Sequence, residues 1–269
     1  MNISHDLIQD IKNKNVILFA GAGISMNLGL PSWSELIDEM AVDLGFEPEE
    51  FKKKASFLEL AEYYKLTKGS IGSLRSWMDT NFHSNKIQIE KSKIHKLIVD
   101  LNIDLIYTTN YDRWIERAYD YYKVPNNKIV GIHDFTNSSP GETQIVKYHG
   151  DFDDDSSIVL TESSYFERLD LNTALDVKLR SDSLGKSLLF IGYSLSDLDI
   201  RFLLYKLQLL WNNHHSYLQP TSFVFLTSDN PIQRKVLESR NIQTITSDES
   251  NPGKALEFFL ENLIHKTRT

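Results

Sequence analysis

The stretch Val16-Ile17-Leu18-Phe19-Ala20-Gly21-Ala22-Gly23-Ile24-Ser25 decides the fold of this chain. Its first five residues form a short apolar run that begins with two β-branched side chains. Such a run is typical of a strand that is buried on both faces of a parallel sheet. Gly21 and Gly23 follow directly, and glycines at the end of a strand let the backbone turn tightly into a helix. The stretch therefore predicts the first strand and the first turn of an α/β fold.

Further apolar runs of this kind recur along the chain and alternate with helical patterns. The helix predicted at 199–211 carries its apolar side chains on one face, as expected for a helix docked on a sheet. This alternation predicts an α/β fold with a doubly wound, mostly parallel, Rossmann-like sheet and helices on both faces. The remaining predicted strands are 103–107, 145–148, 188–191, 222–226 and, nearer the sheet edge, 242–246; the last two covering helices are 231–240 and 255–265.

Residues 34–101 break the alternation, because they contain four amphipathic helical patterns and no convincing strand. We expect a small helical module, inserted after the first strand, that could roof the crevice at the carboxyl ends of the strands. No linker or internal repeat divides the rest of the chain. We therefore expect a single domain over residues 1–269, with the inserted module at 34–101 within it.

Composition and charge narrow the function classes. The 269 residues carry a formal net charge of −8, and an acidic chain without a basic cluster disfavours nucleic acid as the main ligand. The triplet 52–54 and the acidic run 151–155 are interpreted as solvated surface. The complete absence of cysteine excludes disulfides, a thiol nucleophile and cysteine-ligated metal sites, and it fits a cytoplasmic protein. The polar first ten residues and the lack of a long apolar run predict neither a signal sequence nor a membrane span.

Four short polar segments each follow a predicted strand: 21–25, 108–112, 149–150 and 192–194. In a parallel sheet, residues just beyond the carboxyl ends of the strands line one shared crevice. The four segments together supply glycines, hydroxyls, an amide, a carboxylate and an imidazole. The sequence therefore predicts one site suited to binding a dinucleotide and to chemistry on it.

The first segment places Gly21, Ala22, Gly23 and Ser25 at the start of a helix, where free backbone N–H groups and the helix dipole favour a pyrophosphate. A Gly-x-Gly after a strand is equally consistent with a tight turn alone. The complete G-x-G-x-x-G pattern is absent, because Asn27 occupies its last position.

The second segment, Thr108-Thr109-Asn110-Tyr111-Asp112, is more specific. Thr109 or Asn110 could simply cap the helix that follows, a role that these residue types favour. A cap accounts for one residue of the five, however. An amide with both donor and acceptor groups beside a carboxylate can orient a ribose and a water molecule, which predicts that role for Asn110 and Asp112.

In the third segment His149 ends a predicted strand beside the others. Imidazoles titrate near neutrality and are the usual groups for moving a proton from water or a sugar hydroxyl. The alternative is a histidine packed at the end of a strand. The register of His149 with the other segments favours the functional interpretation.

The fourth segment, Gly192-Tyr193-Ser194, is a strand–turn–helix junction followed by Asp197 and Asp199. Gly192 permits close approach of a ligand and Ser194 can bond a phosphate or a ribose hydroxyl, while Ser196 or Asp197 can cap the next helix. Ser228, in the segment 227–230, could hold an adenosine ribose, although a simple turn is as consistent with that segment. No residues have metal-site spacing, and His214-His215 is interpreted as a loop.

Taken in order, the segments 21–25, Gly29-Leu30-Pro31, 108–112, 149–150 and 192–194 resemble the NAD-binding and catalytic motifs of the sirtuin superfamily, in the form found in bacterial sirtuin-like domains of anti-phage defence proteins. The resemblance implies that Asn110 and Asp112 lie at the nicotinamide ribose and that His149 is the catalytic base. It implies that the phosphates and the riboses contact Ala22, Gly23, Ser25, Gly192 and Ser194. We also expect Gly21, Pro31, Thr109 and Ser228 to belong to the cofactor-binding site.

Two departures from that family define the expected reaction. Protein-deacetylating sirtuins carry four zinc-binding cysteines, and this chain has none; they also continue Gly-Ile-Pro with Asp-Phe-Arg, where this chain has Ser32-Trp33-Ser34. Without a zinc module, water is the natural nucleophile. We therefore expect a metal-free NAD+ glycohydrolase that releases nicotinamide and ADP-ribose and depletes NAD+ in anti-phage, abortive-infection defence.

Two other functions stay open from the sequence. One is an NAD-dependent protein deacylase or ADP-ribosyltransferase, which needs a groove for a protein substrate; the other is a non-catalytic module that senses NAD or ADP-ribose. The resemblance also implies regulation by assembly, either as a homo-oligomer or with a separate activator such as a DNA-translocating ATPase or an argonaute-type protein. We expect no membrane and no direct nucleic-acid partner.

Overall fold

Within the part of the chain that the structure describes, the sheet has seven strands, all parallel where they pair. The computed structural model describes residues 3–195, 197–212 and 219–269. The strand order is β3-β4-β2-β1-β5-β6-β7. The strands are β1 (Val16–Ala20), β2 (Leu105–Thr108), β3 (Asn126–Ile129), β4 (Thr143–Lys147), β5 (Ser187–Ile191), β6 (Ser222–Leu226) and β7 (Ile242–Thr246).

The central strand β1 explains why the sheet is covered on both faces. All five of its residues are buried, and their side chains alternate between two hydrophobic clusters. Leu18 belongs to the cluster formed with the helices at 5–12, 33–44, 93–100, 114–121 and 252–268. Phe19 belongs to the cluster formed with the helices at 174–183, 198–212 and 231–238. A strand apolar at every position is therefore required, as the sequence predicted.

Thirteen α-helices are described in the same ranges of the chain. They are α1 (His5–Lys12), α2 (Ala22–Met26), α3 (Trp33–Leu44), α4 (Pro48–Lys52), α5 (Phe57–Lys68), α6 (Gly72–Phe82), α7 (Lys93–Asp100), α8 (Trp114–Tyr121), α9 (Glu162–Arg168), α10 (Ala174–Ser183), α11 (Leu198–Asn212), α12 (Pro231–Glu238) and α13 (Pro252–Arg268). None of these helices is long and apolar enough to cross a membrane.

The predicted Rossmann-like α/β architecture is confirmed, with one strand that the sequence analysis missed. Strand β3 reads Asn-Asn-Lys-Ile and buries only Ile129. Because β3 lies at the edge of the sheet and is mostly polar, it carries neither the continuous apolar run nor the alternation that marks a strand. The predicted edge position of the last strand is correct, since β7 closes the opposite side.

Between β1 and β2, residues 34–101 contain helices and no strand. Helix α3 begins at a capping box, in which the Ser32 hydroxyl accepts a hydrogen bond from the Glu35 N–H and the Glu35 carboxylate accepts one from the Ser32 N–H. The buried residues of these helices belong to the same hydrophobic cluster as one face of the sheet. Their separation as an inserted module within one domain stays a prediction.

The acidic run after β4 differs from its predicted solvated state. Asp151 is fully buried, and its carboxylate oxygens lie 3.0 Å from Lys128 Nζ and 3.6 Å from Lys147 Nζ. Asp153 and Asp155 are exposed and pair with Arg113 and Arg75. Phe152, within the run, is buried as well. The sequence alone did not reveal that two lysines contact Asp151 from β3 and β4.

Candidate active site

The loops that follow β1 and β5 meet at the centre of the sheet. Strand β1 pairs with β2 on one side and with β5 on the other, so the two halves of the sheet diverge at this point. The N–H of Gly21 donates to the carbonyl of Ile191 at 3.0 Å, and the N–H of Gly23 donates to the carbonyl of Gly192 at 2.8 Å. Ligands of open α/β sheets bind at such a switch point, beyond the carboxyl ends of the strands.

The glycines at this junction are required by backbone packing. A Cβ atom on Gly23 would lie 2.8 Å from the Cα of Gly192, and one on Gly21 would lie 2.4 Å from the Tyr193 ring. Gly192 has a φ of +58°, a conformation that side chains disfavour. Backbone packing in a tight turn is therefore sufficient to explain why position 21 is glycine. The N–H groups of Gly21 and Gly23 already donate hydrogen bonds to carbonyls of the protein.

A cavity of about 560 Å³ opens above this junction, a size within the range of small-molecule sites. Eleven of the twelve predicted site residues line it, and Gly21 lies behind them. The loops after β1 and β2 contribute Ala22, Gly23, Ser25, Pro31, Thr109, Asn110 and Asp112. The loops after β4, β5 and β6 contribute His149, Gly192, Ser194 and Ser228.

Helices between β1 and β2 form part of the cavity wall. Trp33 and Leu36 of α3 and Phe82 of α6 line the cavity beside Tyr111. These side chains make part of the cavity wall apolar. That this segment roofs the crevice as an inserted module stays a prediction.

Asn110 joins the loop after β2 to the loop after β1. Its Nδ2 donates to the carbonyl of Gly21 and to the hydroxyl of Ser25, both at 3.1 Å, and its own N–H donates to the Thr108 hydroxyl. The amide nitrogen is thus committed to the protein, which orients the whole carboxamide in the cavity. The helix-cap alternative is not what Asn110 does here, because α8 begins four residues later.

Asp112 binds the first backbone N–H of α8 through its side chain and also lines the cavity. Its Oδ1 accepts a hydrogen bond from the Trp114 N–H at 3.0 Å, and its backbone carbonyl accepts one from the buried Lys147 ammonium. The carboxylate is buried but lines the cavity. Asp112 can therefore place negative charge beside a positively charged part of a ligand.

His149 is held by a buried carboxylate. Its Nε2 lies 2.9 Å from Asp199 Oδ2, and the two residues are 2% and 0% exposed, respectively. Burial alone would raise the pKa of Asp199. The positive charge that His149 has when protonated, its hydrogen bond, the Ile200 N–H and Arg168 together outweigh burial and hold that pKa below its ordinary value.

The loop that carries His149 is fixed to its neighbours through the backbone. The Tyr111 hydroxyl donates to the Val159 carbonyl at 2.6 Å, and the Val159 N–H donates to the His149 carbonyl at 2.9 Å. Gly150 has a φ of +96°, and a Cβ there would lie 2.2 Å from the Ser157 carbonyl oxygen. The glycine after His149 therefore has a structural cause.

Two tyrosines share Asp197 at the side of the cavity near His149. The Tyr193 hydroxyl donates to Asp197 Oδ2, and the Tyr165 hydroxyl lies 3.4 Å from Asp197 Oδ1 and 3.5 Å from His149 Nδ1. Burial, and then the negative charge of Asp197, raise the pKa of both phenols well above the ordinary value for tyrosine. Both therefore remain protonated donors in this site.

The charge of the cavity is unusual for a nucleotide-binding site. Among the residues that the structure describes, no lysine or arginine lines it, whereas the carboxylates of Asp112 and Asp197 do. At the end of the cavity near β6, Gln233 Nε2 donates to the Ser194 carbonyl at 3.1 Å beside the exposed Ser228. Asn230 caps α12, so the turn interpretation also fits this loop.

The sequence analysis did not assign roles to Asp199 or Tyr165. Asp199 follows Gly192-Tyr193-Ser194 closely enough to be noticed, but its contact with His149 depends on how α11 packs against β4. Tyr165 lies in the short helix α9, whose sequence contains none of the motifs that marked the other site residues. Ser196 and His214-His215 lie outside the described residues. In the described ranges, no group of three or more acidic or histidine side chains is arranged to hold a metal ion.

Comparison with known proteins places these features in a family. The family model for a SIR2-like domain matches residues 104–245, more than half of the chain. The NAD(+) hydrolase ThsA of Enterococcus faecium is 37% identical over 190 residues, which is 70% of this chain and 38% of that protein. The NAD(+) hydrolase ThsA of Bacillus cereus (strain MSX-D12) is 30% identical over 74% of this chain and 41% of that protein.

A further relative has a name that refers to defence. The defense-associated sirtuin 2 of Bacillus subtilis is 25% identical over 240 residues, which is 86% of this chain and 23% of that protein. The chain thus spans about two fifths of the length of the ThsA relatives and less of the sirtuin. The predicted resemblance is confirmed: the chain belongs to the family of SIR2-like domains.

Proposed function

We propose that this chain hydrolyses NAD+ to nicotinamide and ADP-ribose. One observation carries the proposal: the Asn110 amide, the Asp112 carboxylate and the His149 imidazole, which the buried Asp199 bonds, meet in one cavity at the switch point of the sheet. The names of the ThsA relatives as NAD(+) hydrolases support it. The relatives are longer proteins, so the activity of this chain is a proposal.

In the proposed reaction a water oxygen forms a bond to C1′ of the nicotinamide ribose while the bond from C1′ to the pyridinium nitrogen breaks. The bonding electron pair leaves with nicotinamide, which becomes neutral, and the proton of the water passes to His149. The cavity promotes this step by orienting the ribose and by limiting other water.

Each residue has a role that follows from its contacts. Asn110, whose Nδ2 is held by Gly21 and Ser25, presents its amide oxygen to the ribose or to the attacking water. Asp112 stabilises the positive charge that develops at C1′. His149 accepts the proton. Backbone N–H groups and hydroxyls near Ser25, Ser194 and Ser228 contact the phosphates and the adenosine ribose.

The test is nicotinamide release from NAD+ by the purified chain, measured by chromatography. We expect His149→Ala and Asn110→Ala to lower the rate by about 100-fold or more, the range typical of a lost general base or positioning group. His133→Ala is the matched control, because His133 is exposed on a 3₁₀ turn outside the cavity. Retained folding is checked by thermal unfolding of each variant.

Three results would contradict the proposal. Activity that survives in both cavity variants would remove the assigned residues from the reaction. A wild-type chain that binds NAD+ without releasing nicotinamide would favour the sensing alternative. Release that requires an acyl-lysine peptide would favour deacylation.

We also propose that the reaction serves anti-phage defence by depleting NAD+ in the cytoplasm, with activity controlled by assembly into a homo-oligomer or by a separate activator. The name of the Bacillus subtilis relative, defense-associated sirtuin 2, supports the defence role. Size-exclusion chromatography with light scattering, run with and without NAD+, tests the oligomer. A monomeric chain with full activity would contradict control by self-assembly.

A further inference from the structure

We infer that Asp199 is a positioning residue for the proposed hydrolysis: it fixes the proton of His149 on Nε2 and thereby leaves Nδ1 as the nitrogen that accepts the proton. The inference rests on the proposed function. Its basis is the 2.9 Å contact between Asp199 Oδ2 and His149 Nε2 in a fully buried setting. An ionised carboxylate only accepts hydrogen bonds, so the imidazole must donate at this contact.

The second oxygen of Asp199 keeps the carboxylate from rotating. Its Oδ1 accepts a hydrogen bond from the N–H of Ile200 at 2.9 Å, in the first turn of α11. A carboxylate in the first turn of a helix is stabilised there by the helix dipole. The helix start stabilises the Asp199 carboxylate without any contribution from His149. The contact of Oδ2 with the imidazole is therefore a separate interaction.

The other nitrogen of His149 faces Tyr165, and both residues line the cavity. The Tyr165 hydroxyl lies 3.5 Å from Nδ1 on one side, with Asp197 behind it, and the Tyr148 ring packs against the imidazole at 5.6 Å. Both tyrosines are neutral donors rather than competing bases.

The other charged groups near the imidazole, Arg168 and Asp197, have partners other than His149. Arg168 stacks over the Tyr148 ring at 4.1 Å and forms an ion pair with Asp176 at 2.8 Å. Among the described residues, Asp199 is therefore the carboxylate that bonds the imidazole directly, and the orientation of His149 depends on it.

The variant Asp199→Asn makes the inference testable, because the structure predicts how the new amide will lie. The Ile200 N–H still requires an acceptor, so the amide oxygen takes the Oδ1 position. The amide NH₂ then faces Nε2 and donates to it. His149 must accept at Nε2 and carry its proton on Nδ1, the reverse of the wild-type arrangement.

The experiment combines nitrogen NMR with kinetics on the purified chain. The chain has eight histidines, and the spectrum of His149→Ala identifies the signals of His149 in ¹⁵N-histidine-labelled protein. We expect a protonated Nε2 in the wild type and a protonated Nδ1 in Asp199→Asn. We expect nicotinamide release to fall by about 100-fold or more in kcat, with a much smaller change in KM and no recovery at higher pH.

Asp176→Asn is the matched control. Asp176 is also fully buried in the first turn of a helix, but it bonds the Tyr148 hydroxyl and Arg168 instead of His149. This control can lose stability, yet it should leave the proton of His149 on Nε2. A kcat loss confined to Asp199→Asn then reports positioning rather than weakened folding.

A proton on Nδ1 in the wild type would overturn the inference, as would wild-type kcat in Asp199→Asn. Failure of the proposed function gives a different result. In that case the wild type releases no nicotinamide, and the NMR measurement still shows whether Asp199 sets the proton of His149.

Discussion

Replacing Lys147 with methionine should destabilise the chain strongly, because Lys147 is the buried cation that links two site loops. The side chain is fully buried in β4. Its ammonium donates to the Asp112 carbonyl and lies 3.2 Å from Glu116 and 3.6 Å from Asp151. Methionine keeps the apolar stem and removes the charge.

The magnitude follows from what the substitution leaves behind. Removing one partner of a buried ion pair costs about 3–5 kcal/mol, since the other charge stays buried without compensation. A typical domain has a free energy of unfolding of about 5–15 kcal/mol, so Lys147→Met should remain folded in water and unfold at a much lower urea concentration. Lys53→Met is the control: its ion pair with Glu50 is exposed and should be worth less than about 1 kcal/mol.

The cost should also depend on pH. Burial raises the pKa of Glu116, and the nearby Lys147 opposes that rise. Without Lys147 the folded state holds the proton on Glu116 to higher pH, whereas the unfolded chain releases it near 4.5. The unfolded state then binds fewer protons, so the variant loses stability as pH rises above that value. The difference between wild type and Lys147→Met should therefore be larger at pH 8 than at pH 5.

The assay is urea unfolding followed by circular dichroism at both pH values. A loss no greater than that of Lys53→Met would refute the reasoning, because it would mean that the buried contacts contribute no more than surface pairs. A loss independent of pH would show that the cost does not arise from uncompensated carboxylates. A combined Lys147→Met and Glu116→Gln variant should recover part of the stability, since neighbouring groups are not additive.

Two further predictions concern packing and acid stability. Gly23→Ala should lower the free energy of unfolding by about 1–3 kcal/mol through overpacking, because its Cβ would meet the Gly192 backbone. Gly72→Ala is the control and should be neutral or slightly stabilising, since the atom nearest to its Cβ is 3.5 Å away. Equal melting temperatures for the two variants would contradict this prediction. Burial lowers the pKa of His95 to about 4, so stability that is complete above the ordinary value of 6.5 should fall as pH decreases toward 4, by up to about 3 kcal/mol. His95→Leu should remove that dependence in urea unfolding, and an unchanged slope of stability against pH would exclude His95 as its source.

The parts of the fold that the sequence predicted are those specified by local patterns. Strand β1 is apolar at all five positions because it is buried on both faces, and α11 shows a helical period because one face packs on the sheet. Strand β3 escaped prediction because an edge strand needs only one buried residue. Asp151 was misinterpreted because its partner Lys128 reaches it from the neighbouring strand β3, 23 residues earlier in the chain, a contact that local sequence does not reveal.

The candidate site divides in the same way. Asn110, Asp112 and His149 were predicted because each follows a strand, and the carboxyl ends of parallel strands meet at one edge. The pairing of His149 with Asp199 could not be predicted, since it depends on where α11 crosses the end of β4. Tyr165 reaches the cavity from α9, a helix whose sequence has no periodicity that distinguishes a cavity residue from a core residue.

The absence of lysine and arginine from the cavity wall, within the described part of the chain, has a consequence for turnover. NAD+ enters with a positively charged pyridinium beside its phosphates, and the carboxylates of Asp112 and Asp197 favour that charge. Cleavage neutralises the pyridinium, so the only charged groups of the remaining ADP-ribose are its anionic phosphates, which the acidic cavity wall repels. In the proposed reaction, the positive charge by which the cavity attracts the substrate is thus lost when the bond to nicotinamide breaks. Product should leave readily, and accumulating ADP-ribose should inhibit the enzyme only weakly.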